Sequence, residues 1–132
     1  MKGIADTGFL VALVNSRDRY HEWALHVAEQ ASEPLLTCEP VVAEAAYHLQ
    51  EVALVLEMVT EQFLSLSFNC NDHLAHLAAL ASRYEDRHPD LADLCLIRMS
   101  ELYPHHRVIT ADEDFRVYRR NKREVIPLIC PP

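Results

Sequence analysis

Short apolar runs alternate along the chain with stretches in which apolar positions recur at helical spacing. Lys2 to Asp6 reads as a strand-like opening and leads into an apolar run from Phe9 to Val14, broken by Asn15-Ser16-Arg17-Asp18. Trp23, Ala24, Val27 and Ala28 then mark one buried helical face. Leu35-Leu36-Thr37-Cys38 predicts a second strand, closed by Glu39-Pro40. Proline suits a first helical turn, so Pro40 opens a helix through Leu49, and more helix follows to about Phe63. Leu64, Leu66 and Phe68 alternate with serines, the period-2 signal of a third strand.

The second half repeats the rhythm. Asn71-Asp72 predicts the cap of a helix through Tyr84, with Leu74, Leu77, Ala78 and Ala81 on its buried side. Pro89-Asp90 opens another helix to about Tyr103, and Arg107-Val108-Ile109-Thr110 reads as a fourth strand. A short helix from about Glu113 and a final strand around Val125–Leu128 complete the pattern. Strands alternating with helices predict a parallel sheet covered on both faces, an α/β sandwich, here as a single domain over residues 1–132.

Composition narrows the function classes. With 12 basic and 20 acidic residues the net charge is −8, which argues against a domain that coats nucleic acid with bulk positive charge. It leaves room for a nuclease whose metal-binding acids contribute to the excess. No stretch approaches the roughly 18–20 consecutive apolar residues of a membrane span. The opening meets Asp6 at once, so no apolar export signal is expected. Cys38, Cys70, Cys95 and Cys130 are widely spaced, without Cys-x-x-Cys, and read as buried thiols of a soluble cytoplasmic protein.

Four acids stand in unusual places. Asp6 and Asp112 follow the predicted strands Gly3-Ile4-Ala5 and Val108-Ile109-Thr110-Ala111, and open α/β sheets place their sites at the carboxyl ends of strands. Glu44 lies inside Val41-Val42-Ala43-Glu44-Ala45-Ala46, and Asp93 inside Leu91-Ala92-Asp93-Leu94-Cys95-Leu96-Ile97. A carboxylate among apolar neighbours is expensive to bury without compensation. No regularly spaced lysine or arginine accompanies these four, so a bound cation is the economical explanation. Oxygen-only ligands select Mg²⁺ or Mn²⁺ over zinc, and a magnesium shell shared with phosphate points to phosphodiester or phosphoryl chemistry. The structural alternative is that Asp6, before Thr7-Gly8, caps a helix and that Asp90-x-x-Asp93 is a capping pair.

Four segments carry a family resemblance. Ile4-Ala5-Asp6-Thr7-Gly8-Phe9-Leu10-Val11-Ala12-Leu13 resembles the opening of PIN-domain ribonucleases, and Val41-Val42-Ala43-Glu44-Ala45-Ala46-Tyr47-His48-Leu49 their second motif. Leu91-Ala92-Asp93-Leu94-Cys95-Leu96 resembles the third, and Val108-Ile109-Thr110-Ala111-Asp112-Glu113-Asp114-Phe115 the fourth. The resemblance implies a three-layer α/β/α sandwich with a central parallel sheet and a site for Mg²⁺ or Mn²⁺ made by Asp6, Glu44, Asp93 and Asp112. It implies Asp114 as a fifth acid, with Thr110 holding a carboxylate or a water. It further implies metal-dependent endoribonuclease activity leaving 5′-phosphate and 3′-hydroxyl ends, often as the VapC-type toxin of a toxin–antitoxin pair. The expected partners are RNA, an antitoxin protein and a second copy of the chain in a homodimer. The alternative from another class is a catalytically silent PIN-fold adaptor for RNA or protein. A phosphatase would want Asp-x-Asp after the first strand, where this chain has Asp6-Thr7-Gly8.

Two further clusters have competing readings. Arg116, Arg119, Arg120, Lys122 and Arg123 form either a solvated surface helix or an RNA-backbone contact led by Arg116, Arg119 and Arg120. Tyr118 among them reads as packing rather than as a base-stacking platform. Cys70-x-x-His73-x-x-His76 looks like a zinc pattern, but its leucines and alanines fit a core helix and a fourth ligand is unassigned.

Overall fold

A computed structural model describes residues 1–132. The elements follow in the order β1 (Gly3–Ala5), α1 (Thr7–Val14), α2 (His21–Glu29), β2 (Leu35–Thr37), α3 (Glu39–Leu49), α4 (Val52–Thr60), β3 (Leu64–Leu66), α5 (Leu74–Arg83), α6 (Leu91–Leu102), β4 (Arg107–Ile109), β5 (Arg119–Arg120), β6 (Glu124–Val125) and β7 (Leu128–Ile129). Five strands form one sheet in the order β3-β2-β1-β4-β7, every pair parallel. β5 and β6 make a separate antiparallel hairpin. Six helices flank the sheet in a three-layer α/β/α arrangement, and none is long and apolar enough to cross a membrane.

The order of the strands matters for function. From central β1 the chain moves first to one side, through β2 and β3, and later to the other, through β4 and β7. The reversal falls between β1 and β4, and a crevice opens beyond the carboxyl ends of strands at such a switch point. All of β1 is buried, which is why it reads as an apolar run rather than an alternation. α6 is buried over most of its circumference, with Ala92, Leu94–Ile97, Met99 and Ser100 all inside.

Gly3 shows how tightly the sheet is packed. A β-carbon there would lie 2.7 Å from Ile109 Cδ1 and 3.1 Å from Leu35 Cδ2, and both partners are fully buried. Gly3→Ala is therefore expected to destabilise the fold by about 1–2 kcal/mol, overpacking outweighing the entropy gained by removing a glycine. Urea unfolding of the two proteins checks it; an equal or higher midpoint for the variant would show that Ile109 yields.

Four expectations need correction. Cys70–His73 forms a 3₁₀ turn, whose Asn69 side chain caps Asn71 N at 3.0 Å, and the α-helix begins only at Leu74. α5 buries Leu77 and Leu80 while Leu74 is 59% exposed, because this outer helix lays a narrow stripe on α6. The basic segment after Phe115 is no helix: a single 3₁₀ turn, Glu113–Arg116, leads into the β5–β6 hairpin. The last apolar run is divided, with Val125 exposed in that hairpin and Leu128–Ile129 joining β4. Pro127 between them has no N–H to give to a ladder, although its carbonyl accepts from Val108 N at 2.9 Å.

Candidate active site: an acidic cleft at the switch point

Because β1 and β4 run in parallel with Ala5 opposite Ile109, the residues that follow them, Asp6 and Thr110, meet at the sheet's edge. Thr110 Oγ1 donates to Asp6 Oδ2 at 2.6 Å, and the same hydroxyl oxygen accepts from Asp112 N at 3.0 Å. Asp6 Oδ1 accepts from Thr7 N at 2.7 Å, so this carboxylate both caps α1 and ties the two strand ends together. The capping reading of Asp6 and its placement in the site are thus compatible. Thr110 holds a carboxylate.

Glu44 comes from the middle of α3, which packs against both α1 and α6. Asp93 comes from the first turn of α6, where it forms a capping box: Asp93 N donates to Asp90 Oδ1 at 2.9 Å and Asp90 N to Asp93 Oδ2 at 3.3 Å. The box fixes both side chains at the helix start. Asp6, Thr7, Gly8, Glu44, Asp90, Asp93, Ala111 and Asp112 line one cleft of about 210 Å³. The sequence-predicted acids Asp6, Glu44, Asp93 and Asp112 are therefore brought together, and Asp90 joins them.

Asp114 is placed differently. It does not line the cleft, and its Oδ1 accepts from Arg87 Nη1 at 3.0 Å in an ion pair. Its backbone N–H caps onto Asp112 Oδ1 at 2.9 Å, so Asp114 braces the loop that carries Asp112. Asp90 carried a local signal, namely its position three residues before a site acid at a helix start, but capping accounted for that signal completely.

Five carboxylates in one small cleft without a lysine, arginine or histidine in the lining disturb their own proton equilibria. Asp6 is pushed up to about 6, chiefly by burial, against the pull of the Thr110 and Thr7 hydrogen bonds. Burial first, then the charges of Asp90 and Asp6, raise both Glu44 and Asp93 to about 7. Each shift means that the cleft resists negative charge in the absence of a counter-ion. The donors are hard carboxylate oxygens, and as placed no three of them stand close enough to ligate one ion. Hard oxygen donors are the ligand type of magnesium-type ions, which keep several waters and take one or two carboxylates plus phosphate oxygens. The residues present fit a divalent cation of this kind.

The other singled-out residues lie elsewhere. Arg120 is 6% exposed, and its guanidinium donates to Ser100 O at 2.8 Å, Pro104 O at 3.2 Å and Glu124 Oε1 at 2.6 Å. That commitment removes it from the proposed RNA contact: it anchors the hairpin to the end of α6. Arg119 Nη1 donates to the carbonyls of Arg116, Val117 and Tyr118. Arg116 is exposed and pairs with Glu113 Oε2 at 3.0 Å. Tyr118 is fully buried, with its ring edge-on to those of Phe115 and Tyr84, so it packs the core. Cys70, His73 and His76 do not converge on a metal. Cys70 Sγ instead meets Cys95 Sγ at 3.5 Å, and His73 stacks on Phe68 with ring centroids 4.8 Å apart. All four cysteines are free thiols, Cys38 and Cys95 fully buried and the other two half-buried.

Comparison with known proteins bears on the same residues. The model of the family described as PIN domain matches residues 4–121, a span that contains every acid of the cleft. No curated protein matches the chain.

Proposed function

The chain belongs to the PIN-domain family, whose members are typically nucleases that use divalent metals, and on that footing we propose that it is a cytoplasmic endoribonuclease hydrolysing RNA phosphodiester bonds with Mg²⁺ or Mn²⁺. The observation that carries the reading is the cleft itself: five acids from four separated stretches of chain, no cation among its walls, and Asp6, Glu44 and Asp93 all raised toward neutrality.

Asp6, Glu44, Asp93 and Asp112 would hold the ion, with Asp90 beside them in place of Asp114. When bound, the ion activates water at neutral pH and neutralises charge developing on the phosphate. The chain's own groups supply the frame. Thr110 keeps Asp6 oriented through its donated hydrogen bond, and the capping box keeps Asp93 facing the cleft. The cleft lining includes no histidine, so general-base chemistry falls to solvent and the carboxylates rather than to an imidazole.

The test is cleavage of structured RNAs by purified protein with and without a chelator. Cleavage is expected to vanish with chelator and to return on adding Mg²⁺ or Mn²⁺. Chelator-resistant cleavage, unchanged in Asp93→Asn, would reject the enzyme; RNA binding without any cleavage would favour the adaptor.

The finer reading is a VapC-type toxin, for which a small DNA-binding antitoxin protein encoded next to it is the expected partner. A homodimer belongs to the same proposal and is supported by apolar side chains left outside the core on neighbouring α3 and α4, with Tyr47 73%, Val52 59% and Leu56 53% exposed. Twofold pairing is the commonest way to cover such a face. Sedimentation at micromolar concentration should give twice 15.1 kDa; a species of 15.1 kDa alone would reject the dimer.

A further inference from the structure

A second, oppositely charged groove lies along the same helix as Asp93. Its walls are His76, Ala79, Leu80 and Arg83 from one stripe of α5, Arg98 and Glu101 from α6, and Asn121 and Lys122 from the turn of the β5–β6 hairpin. It measures about 310 Å³ and shares no lining residue with the acidic cleft. In a chain of net charge −8 it brings three cationic side chains together with one acid.

That acid is already engaged. Glu101 Oε1 accepts from Arg98 Nη1 at 2.9 Å, and Oε2 accepts from Asn121 N at 2.6 Å. Arg83 and Lys122 have no carboxylate partner. Arg83 Nη2 donates to the Lys122 carbonyl, which draws the arginine against the hairpin turn. The hairpin is itself held to α6 by buried Arg120 and by Glu101, so the two cations without a carboxylate partner are carried on braced backbone, Arg83 also lying over the Tyr84 ring. Ala79 and Leu80 add an apolar wall.

We infer that this groove is a binding site for a phosphate ester. Arginine offers a planar fork that matches phosphate oxygens, and lysine a mobile point charge for a third. The volume exceeds that of a lone phosphate and falls at the small end of ligand pockets, which suits a group of mononucleotide size. The apolar wall serves the sugar or base face. The phosphate is borne either by a free nucleotide or by one residue of an RNA strand.

The experiment uses the full chain in chelator, so that it reads binding independently of any cleavage. Adenosine 5′-monophosphate, inorganic phosphate and a short single-stranded RNA are titrated while backbone amide shifts are followed. The nucleotide is expected to move the amides of Ala79, Leu80 and Asn121. Arg83→Gln combined with Lys122→Gln should raise its Kd at least tenfold and flatten its salt dependence. Both positions are exposed; thermal melts verify folding, and Lys122→Gln alone, expected to give a smaller rise, is the second variant. RNA that displaces the nucleotide and weakens in the double variant identifies a strand phosphate. RNA affinity that stays constant while nucleotide binding weakens identifies a free nucleotide. No shift at these amides with any of the three probes, or an unchanged Kd in the double variant, overturns the site.

Discussion

Asp93→Asn is expected to lower metal-dependent RNA cleavage on the order of 10³-fold while leaving the metal-free fold as stable as the wild type or more so. A metal ion at a phosphoryl site contributes several kcal/mol of charge stabilisation in the transition state, and about 4 kcal/mol corresponds to three decades in rate. The stability half of the expectation comes from the capping box. Asparagine keeps an oxygen that can accept from Asp90 N, so the cap survives while one charge leaves a crowded cleft. Asp6→Asn should behave differently. Both oxygens of Asp6 accept hydrogen bonds, one from Thr7 N and one from Thr110 Oγ1, and an amide can satisfy only one of them. Asp6→Asn should therefore lose cleavage, and the lost hydrogen bond, about 1 kcal/mol, should be offset increasingly as pH rises, because the variant also removes the buried charge. Single-turnover cleavage rates beside thermal melts of both variants in chelator decide the matter. If Asp93→Asn cleaves normally, the acid is a cap and nothing more; if it unfolds, the cap depends on the carboxylate itself.

The metal-free protein should become less stable as pH rises from 5 to 8, and Mg²⁺ or Mn²⁺ should restore what is lost. Asp6, Glu44 and Asp93 are raised in the folded state to about 6, 7 and 7, from ordinary values of 3.8, 4.5 and 3.8. Between those limits the folded chain holds more protons than the unfolded one, so stability falls as pH increases. The contribution is complete below about pH 4 and is lost through pH 6 to 7. Asp6 is the dominant member because it is buried; Glu44 and Asp93 face solvent in part and are screened. The three repel one another, so their effects do not add. A total on the order of 2–3 kcal/mol is expected, or about 10 °C in Tm. His106, lowered by burial and by Lys2, contributes the opposite slope below its ordinary range. The difference between wild type and Asp93→Asn across pH removes that background. Divalent ions bind the deprotonated folded state, so their Tm increment should be larger at pH 8 than at pH 5. Equal increments at both pH values would show that the ion does not meet these carboxylates.

The acids most exposed to misreading were those with two roles. Asp6 and Asp93 each read as a helix cap or as a site acid, and each is placed to be both, since a helix start at a sheet's carboxyl edge is where caps and sites coincide. Local pattern was enough to predict the order of strands and helices through β4 and the parallel sheet, and to single out Asp6, Glu44, Asp93 and Asp112; their grouping into one site came with the family resemblance. Those features depend on periodicity and on position relative to a strand end, which neighbouring residues carry. Long-range pairing decided the rest. Asp114 lies outside the cleft and pairs with Arg87, 27 residues away in sequence. Arg120 is drawn inward by carbonyls at the end of α6, which a basic segment read by itself could not reveal. The hairpin replaces the expected helix because its turn finds Glu101 and its strand finds Ser100, both on an element some 20 residues earlier. Charge in the sequence is a property of single residues; whether it faces solvent, a partner or a ligand is settled only where distant elements pack.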